Sequence, residues 1–342
     1  MSDAPETDGA APFLVPFIDM ALPPFLRTLY VDDQAQAVWS RRLWRIAHAW
    51  NQIGRASVGP HGVRSLATVR MPASDLEAVR EELASDQLQA RPLPPYRALV
   101  VTLTERSSTT PSPQRHQPIE VAIGTPAALA ALEGALMAND SDQIGALLGY
   151  PACCRAFFAE VATHGFSDPI WPFAVRSQRQ LPPAEASESG ADAIALRGDV
   201  RMNILLVRLN VRTTPHIPCS LHCAPSRVVA DQFTDLGQIL GYQEELAWRE
   251  ELLSWPMAWS MLHGIAEIET PLFKIACNTD GTAGKHVVHW LGDRYPVTAA
   301  TGLRFPYRRP AHLRVTGSKS YLQGLISPIS LVRRPDESAN KE

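Results

Sequence analysis

The chain has 342 residues, of which 45% are hydrophobic and 20% are charged, and its formal net charge is −3 at pH 7. These values are ordinary for a globular protein with a substantial core, arranged as one large domain or two. A nearly balanced charge provides no basic field for phosphate, so nucleic acid is not expected as a partner.

The apolar run near the N-terminus is predicted to be neither a signal peptide nor a membrane span. Residues 13–26 include Asp19 and two consecutive prolines, and no basic segment or small-residue cleavage site accompanies them. No other stretch approaches the roughly 20 apolar residues that a membrane-spanning helix needs. We therefore expect a cytoplasmic protein without a membrane partner.

The N-terminal part is predicted to form an extension of residues 1–30 and then a small α+β module of residues 31–110. Apolar residues at helical spacing predict a helix over residues 34–50, and a capping-box pattern predicts another after Ser74. Residues 99–103 have the apolar composition of a buried strand.

A larger domain is predicted over residues 118–330, with a disordered tail at 331–342. Caps, prolines and apolar spacing indicate five helices in it. They are predicted to begin near Pro126, Asp140, Pro151, Ser226 and Tyr242. A strand is predicted at 204–211 and an alternating β-ribbon at 257–277. The predicted fold class is therefore α+β, with the larger C-terminal domain mainly helical.

Four of the five cysteines form two tight groups about 65 residues apart. Cys153 and Cys154 follow a Gly-Tyr-Pro-Ala turn, and Cys219 and Cys223 lie in a proline-bounded loop. Both groups lie at predicted helix starts, where unpaired amides and the helix dipole stabilise thiolates. An odd number of cysteines in a cytoplasmic chain argues against a disulfide framework. The two groups are therefore predicted to be the halves of one metal centre.

Simpler roles remain open for several of these residues. Cys154 shares an apolar stripe with Phe157, so a place in the core is the alternative for it. His216 and His222 flank the second cysteine group and are further candidate metal ligands, with an ordinary surface role as the alternative for each. Cys277 is predicted to be a buried free thiol.

An iron–sulfur cluster, of the [4Fe–4S] type, is the metal group that the cysteine spacing favours, and zinc ranks second. Structural zinc sites normally use Cys-x2-Cys pairs, which are absent from both groups. Adjacent cysteines on a helix point about 100° apart, which a cluster with separated irons accepts more easily than one small ion does. The spacing Cys219-x3-Cys223-x2-Ser226 resembles a radical S-adenosylmethionine motif whose third cysteine is replaced. Only 119 residues follow Cys223, fewer than the roughly 200 of a barrel, so that family is set aside.

The sequence LGYPACC at residues 148–154 and the sequence HIPCS at residues 216–220 resemble the L-G-Y-P-x-C-C and H-x-P-C-S motifs of a family of uncharacterised prokaryotic proteins. The likeness covers residues 121–273. The resemblance brings no established activity, and it implies that the two cysteine segments belong to one site.

The sequence as a whole predicts a metal-dependent, iron–sulfur enzyme that acts on a small molecule or an amino-acid-derived substrate. Lys285, His286 and His289, which flank or follow a glycine-rich turn, are candidates for holding that substrate. Two alternatives belong to other classes. One is a zinc-stabilised interaction module, and the other is a redox protein in which Cys153 and Cys154 cycle between dithiol and disulfide. No catalytic residue, electron donor or oligomeric state is assigned.

Overall fold

A computed structural model describes residues 26–59, 62–93, 118–163, 168–179, 193–262, 264–279 and 285–296 of the chain. These residues form eight α-helices and nine strands. The helices are α1 (Asp33–Ala56), α2 (Leu76–Ala84), α3 (Pro126–Met137), α4 (Ser141–Leu147), α5 (Ala152–Thr163), α6 (Ile170–Arg179), α7 (Ala224–Ile239) and α8 (Gln243–Leu253). The strands are β1 (Leu26–Tyr30), β2 (Leu66–Pro72), β3 (Gln89–Pro92), β4 (Pro118–Gly124), β5 (Ala193–Leu196), β6 (Met257–Leu262), β7 (Ile265–Glu269), β8 (Phe273–Asn278) and β9 (His286–Trp290).

The strands form two sheets. The larger sheet has six strands in the order β1-β8-β7-β6-β9-β5, and its neighbours are antiparallel except for the parallel pair β5–β9. The smaller sheet has the order β2-β4-β3 and is antiparallel throughout. Strand β1 at the start of the described chain therefore pairs with β8, which lies almost 250 positions later, since Leu26 is opposite Cys277.

The prediction of a mainly helical C-terminal domain is wrong, because this region contains most of the six-stranded sheet. Strands β6, β7 and β8 correspond to the predicted ribbon, but β5 and β9 have only four and five residues and were not predicted. Short strands of this kind are stabilised by ladder hydrogen bonds to distant segments, which leave little periodic signal in the sequence.

The strand predicted at residues 204–211 is also wrong. This segment contains a 3-10 turn at Val207–Leu209, and Asn210 follows it in the left-handed conformation with a φ of 59°. Three consecutive residues at its start, Ile204, Leu205 and Leu206, are buried, so its apolar composition reflects a buried connection and not a strand. The strand predicted at 99–103 and the glycine-rich turn at 280–284 lie outside the described residues, as do the tail at 331–342 and residues 111–117 between the two predicted domains.

The predicted helices α1, α3 and α4 are confirmed together with their caps, whereas α2 forms where it was predicted but without a side-chain cap bond. The carboxylate of Asp32 accepts a hydrogen bond from the amide of Ala35 at 2.6 Å and begins α1. Thr125 begins α3 and Asp140 begins α4 by the same type of side-chain bond. Each bond satisfies one of the amide groups that a helix start leaves unpaired.

Helix α1 joins the parts of the molecule. Trp39 and Ile46 on its buried face belong to the main hydrophobic core, which also contains the inner face of the large sheet. One turn further along, Trp50 and Ile53 pack with Phe233 of α7 in a second cluster. The C-terminal end of α1 therefore lies between α7 and the small sheet, which positions it beside the cysteine segments. Of the helices in the described ranges, none is long and apolar enough to cross a membrane.

Candidate metal centre

The four clustered cysteines lie at the starts of two helices. Cys153 and Cys154 occupy the first turn of α5, directly after Pro151. Cys223 is the residue that precedes the first turn of α7, and Cys219 lies in the loop before it. The predicted placement at helix starts is therefore confirmed, and the amide groups and dipoles of both helices favour thiolate over thiol at these positions.

The structure brings the four cysteines together into one group. Their sulfur atoms all lie within 4.8 Å of one another. Cys223 Sγ is 3.7 Å from Cys153 Sγ and 3.6 Å from Cys154 Sγ. Cys154, Cys219 and Cys223 are buried and Cys153 is partly exposed. Four thiols at this spacing, three of them buried, can bind a metal.

The adjacent cysteines approach each other closely. Cys153 Sγ and Cys154 Sγ are 3.9 Å apart, although the two side chains leave the helix in different directions. The two sulfurs are therefore close enough to belong to one metal group. The first turn of a helix leaves both side chains free to bend toward the loop that carries Cys223.

The thiol protons are shared unequally within the group. Hydrogen bonds from the thiols of Cys154 and Cys219 lower the pKa of Cys223 well below its ordinary value. The same network raises the pKa of Cys154 far above its ordinary value. At Cys219 the bond to Cys154 lowers the pKa, but the bond to Cys223 and burial outweigh it and raise the pKa to about 11. The network therefore favours the thiolate form of Cys223 over that of Cys154 and Cys219, and a bound cation would replace the shared protons.

Ser226 and His216 extend this group on one side. Ser226 Oγ is 3.2 Å from Cys154 Sγ and 2.8 Å from His216 Nε2. His216 is 6% exposed, and burial lowers its pKa to about 4, so its ring is neutral at pH 7. Its Nδ1 atom has no hydrogen-bond partner among the described residues. In the sequence, the signal for a role of Ser226 is its place three residues after Cys223, which puts it on the buried side of the first turn of α7.

Neither candidate histidine belongs to the group of potential ligands. His216 directs Nε2 toward Ser226, and His222 is exposed at the surface. Cys277 also lies apart from the group. It is 2% exposed in β8, its thiol donates to the carbonyl of Ala266 at 3.6 Å, and burial raises its pKa to about 11. The prediction that Cys277 is a buried free thiol is confirmed.

A cavity of about 170 Å³ lies beside the cysteine group, and Cys154 and His216 both form part of its wall. This volume exceeds by more than ten times the roughly 15 Å³ that one water molecule requires. The wall is assembled from α1, the small sheet, α4, the start of α5 and the segment 207–217. Sequence reasoning missed it because its members lie far apart in the chain.

The residues that the sequence predicted to hold a substrate, Lys285, His286 and His289, do not line this cavity. His286 stacks on Trp171 with ring centroids 4.3 Å apart. His289 is 3% exposed within the large sheet, and neither ring nitrogen has a partner among the described residues. Both histidines therefore belong to the packing of β9.

No family model, no curated protein and no solved structure shows a significant match to this chain. The chemistry of the cysteine group and of the cavity beside it is therefore the basis for assigning a function.

Proposed function

We propose that the four cysteines bind one tetrahedrally coordinated metal ion, with zinc as the first choice, and that the protein binds and transforms a small molecule in the adjoining cavity. One observation carries this proposal: Cys154 belongs both to the group of potential metal ligands and to the cavity wall. The metal centre and the small-molecule site therefore share a side chain.

The sulfur separations support a single ion. Around an ion with metal–sulfur bonds of about 2.3 Å, tetrahedral geometry places neighbouring sulfur atoms about 3.8 Å apart. The separations among Cys153, Cys154 and Cys223 range from 3.6 to 3.9 Å, and those to Cys219 extend up to 4.8 Å. An iron–sulfur cubane binds each cysteine through a different iron, so its ligand sulfurs lie farther apart than those around one ion.

Four protein ligands form a closed site, which is typical of structural zinc. Such an ion contributes folding free energy by linking segments that the chain separates. Here it would join the first turn of α5 to the loop before α7, from which Cys219 and Cys223 come. These two segments also supply Cys154 and His216 to the cavity, so the ion would hold the cavity wall in shape.

His216 connects the metal centre to the cavity. A thiolate accepts hydrogen bonds and donates none, so Ser226 would donate its hydroxyl proton to Cys154 Sγ once that sulfur is a ligand. The oxygen of Ser226 then accepts from Nε2–H of His216, which leaves a lone pair on Nδ1. A neutral, buried imidazole with an unpartnered acceptor suits a hydrogen bond from a neighbouring donor rather than general-base chemistry, because a pKa of about 4 makes it a weak base at pH 7. A polar group of this kind in the cavity wall favours small-molecule binding over a pure interaction module.

An iron–sulfur cluster is the second candidate for the metal group, because a set of four cysteine thiolates is the usual ligand set of such clusters. It requires the four sulfurs to move apart from the separations found here.

Anaerobic purification followed by metal and sulfide analysis tests the proposal. We expect colourless protein with one zinc ion per chain and no acid-labile sulfide. Brown protein with several irons and matching sulfide per chain would replace the single ion by the cluster. Metal-free protein with all four thiols open to titration would contradict both metal assignments and favour the dithiol redox alternative.

A further inference from the structure

The cavity beside the cysteine group has an excess of positive charge. Four arginines contribute to its wall, whereas Glu120 is its one acidic side chain among the described residues. Arg155 is paired with Asp142 at 2.8 Å. In the described part of the chain, no carboxylate forms an ion pair with Arg64 or Arg212.

Arg64 is held in place by neutral groups. Its Nε donates to the hydroxyl of Ser57 at 2.6 Å, and one terminal nitrogen donates to the carbonyl of Gly54 at 3.4 Å. The guanidinium carbon lies 5.3 Å from the centre of the Phe233 ring. These contacts fix the orientation of the guanidinium group and leave its positive charge unneutralised.

Arg212 is held in a similar way. Its guanidinium carbon lies 5.2 Å from the centre of the Trp50 ring, and its one hydrogen bond, to Asn210 Oδ1, is long at 3.5 Å. Its Nε atom has no partner among the described residues. Burial lowers the pKa of Arg212, and burial together with the charge of Arg212 lowers the pKa of Arg64 to about 10. Two enclosed cations that repel each other are costly unless an anion joins them.

The hydroxyl of Tyr150 lies within the electrostatic influence of both Arg64 and Arg212. Both guanidinium charges lower the pKa of the Tyr150 hydroxyl, although burial outweighs them and raises it. The ring of Tyr150 lies 5.3 Å from the ring of His216. The arginines, Tyr150 and His216 therefore surround one space, with Cys154 in its wall.

We propose that this cavity binds a small molecule through an anionic group, a carboxylate or a phosphate, that is held between Arg64 and Arg212 while the rest of the molecule extends toward His216. Guanidinium groups suit this role because their planar fork forms paired hydrogen bonds with either oxyanion. The role of the anion as a substrate rests on the proposed function, whereas its binding to the two arginines does not require a particular metal.

Isothermal titration calorimetry on the full-length protein tests this, with inorganic phosphate and acetate as probes and acetamide as the neutral analogue of acetate. We expect saturable binding of at least one anion and none of acetamide. Arg64→Gln and Arg212→Gln should each weaken that binding about ten-fold or more, since a charge-assisted hydrogen bond is lost. Arg212→Lys should lose less anion affinity than Arg212→Gln, because lysine keeps the positive charge although it lacks the planar guanidinium fork.

Arg176→Gln is the matched control. Arg176 also stacks on a phenylalanine, with its guanidinium carbon 5.5 Å from the Phe157 ring centre, but it does not line the cavity. This variant should bind the anion as the wild type does. Equal binding by the control and by both cavity variants would overturn the proposal. If the cavity variants do not fold, the titration of the wild-type protein tests the proposal. Lack of saturable anion binding, or equal binding of acetamide, would then overturn it.

Metal analysis of the same samples separates this inference from the proposed function. Protein with full metal content and no anion binding would refute the anion site and leave the metal centre in place. Protein that binds phosphate through the two arginines but holds no metal would refute the metal centre and leave the anion site in place.

Discussion

The sulfur of Cys223 has a central position among the four clustered cysteines. It lies within 3.7 Å of both sulfurs on α5, and its pKa is the one lowered by its neighbours' hydrogen bonds. Thiolate is the form that binds metals. Its position and its lowered pKa both make Cys223 a suitable metal ligand.

We expect Cys219→Ala and Cys223→Ala to abolish metal binding, because each removes one of the sulfurs that enclose the ion. Cys277→Ala is the control, since that thiol lies outside the group. It should keep full metal content and lose on the order of 1 kcal/mol of unfolding free energy for a small buried side chain. Metal analysis per chain measures the first effect and urea unfolding the second. Full metal occupancy in the double variant Cys219→Ala, Cys223→Ala would contradict the joint site.

His289 should make the stability of the protein depend on pH. Burial lowers its pKa to about 4, against an ordinary value near 6.5. Its contribution to stability is therefore complete above pH 6.5 and is lost as the pH falls toward 4, because the unfolded chain binds the proton first. The loss reaches up to about 3 kcal/mol.

His289→Leu should flatten this pH dependence, as measured by urea unfolding at pH 7 and pH 4.5. At pH 7 this substitution should change the free energy of unfolding little, because replacing unpartnered buried nitrogens by an apolar group is close to neutral in stability. His48→Gln, at an exposed position, is the control and should keep the wild-type dependence. An unchanged slope in His289→Leu would show that His289 does not titrate in this way.

At the scale of elements, the four clustered cysteines come from the first turn of α5 and from the irregular segment before α7. The loop that carries Cys219 has no strand or α-helix of its own, and it ends only where α7 begins. An irregular segment of this kind depends on side-chain contacts for its order.

Removal of the metal by a chelator should therefore increase amide hydrogen exchange in residues 216–223 and in the first turn of α5. Strands β6, β7 and β8 should keep their protection, because antiparallel neighbours satisfy their backbone groups without the ion. Hydrogen-exchange mass spectrometry before and after chelation measures both regions. Equal deprotection of the sheet and of the loop would mean that the ion supports the whole fold and not this junction.

At the scale of the whole molecule, α1 connects two hydrophobic clusters. Trp39 packs in the main core, and Trp50 packs with Phe233 in a smaller cluster near the cavity. A helix that is buried in both clusters cannot leave one while the other stays intact, so their stabilities are coupled.

Thermal unfolding of the metal-loaded protein should therefore follow one cooperative transition. Ile53→Ala should lower its midpoint without splitting it, at a cost of about 2–5 kcal/mol for a large buried side chain. Ile53 is 1% exposed. Met137→Ala, at an exposed position at the end of α3, is the control and should change the midpoint little. Two separate calorimetric transitions would show that the clusters unfold independently.

The sequence by itself determined the features that depend on neighbouring residues. The starts of α1, α3 and α4 were predictable because a cap residue bonds an amide only three positions later. The two cysteine pairs were recognisable for the same reason, since each follows a turn and begins a helix. Two ligands from each pair are too few for a four-coordinate metal, so the sequence predicted that the pairs meet in one group, and the structure brings their sulfurs together.

Only the tertiary structure decided the large sheet, the cavity and the separations of the four sulfurs. Strand β1 is a strand because β8 supplies its hydrogen bonds from almost 250 positions away. Arg64 and Arg212 share a space because α1, the small sheet and the segment 207–217 converge there. The proposal of one ion in place of a cluster rests on distances of a few ångströms between side chains. Such distances arise from packing between distant segments, and residue spacing along the chain does not encode them.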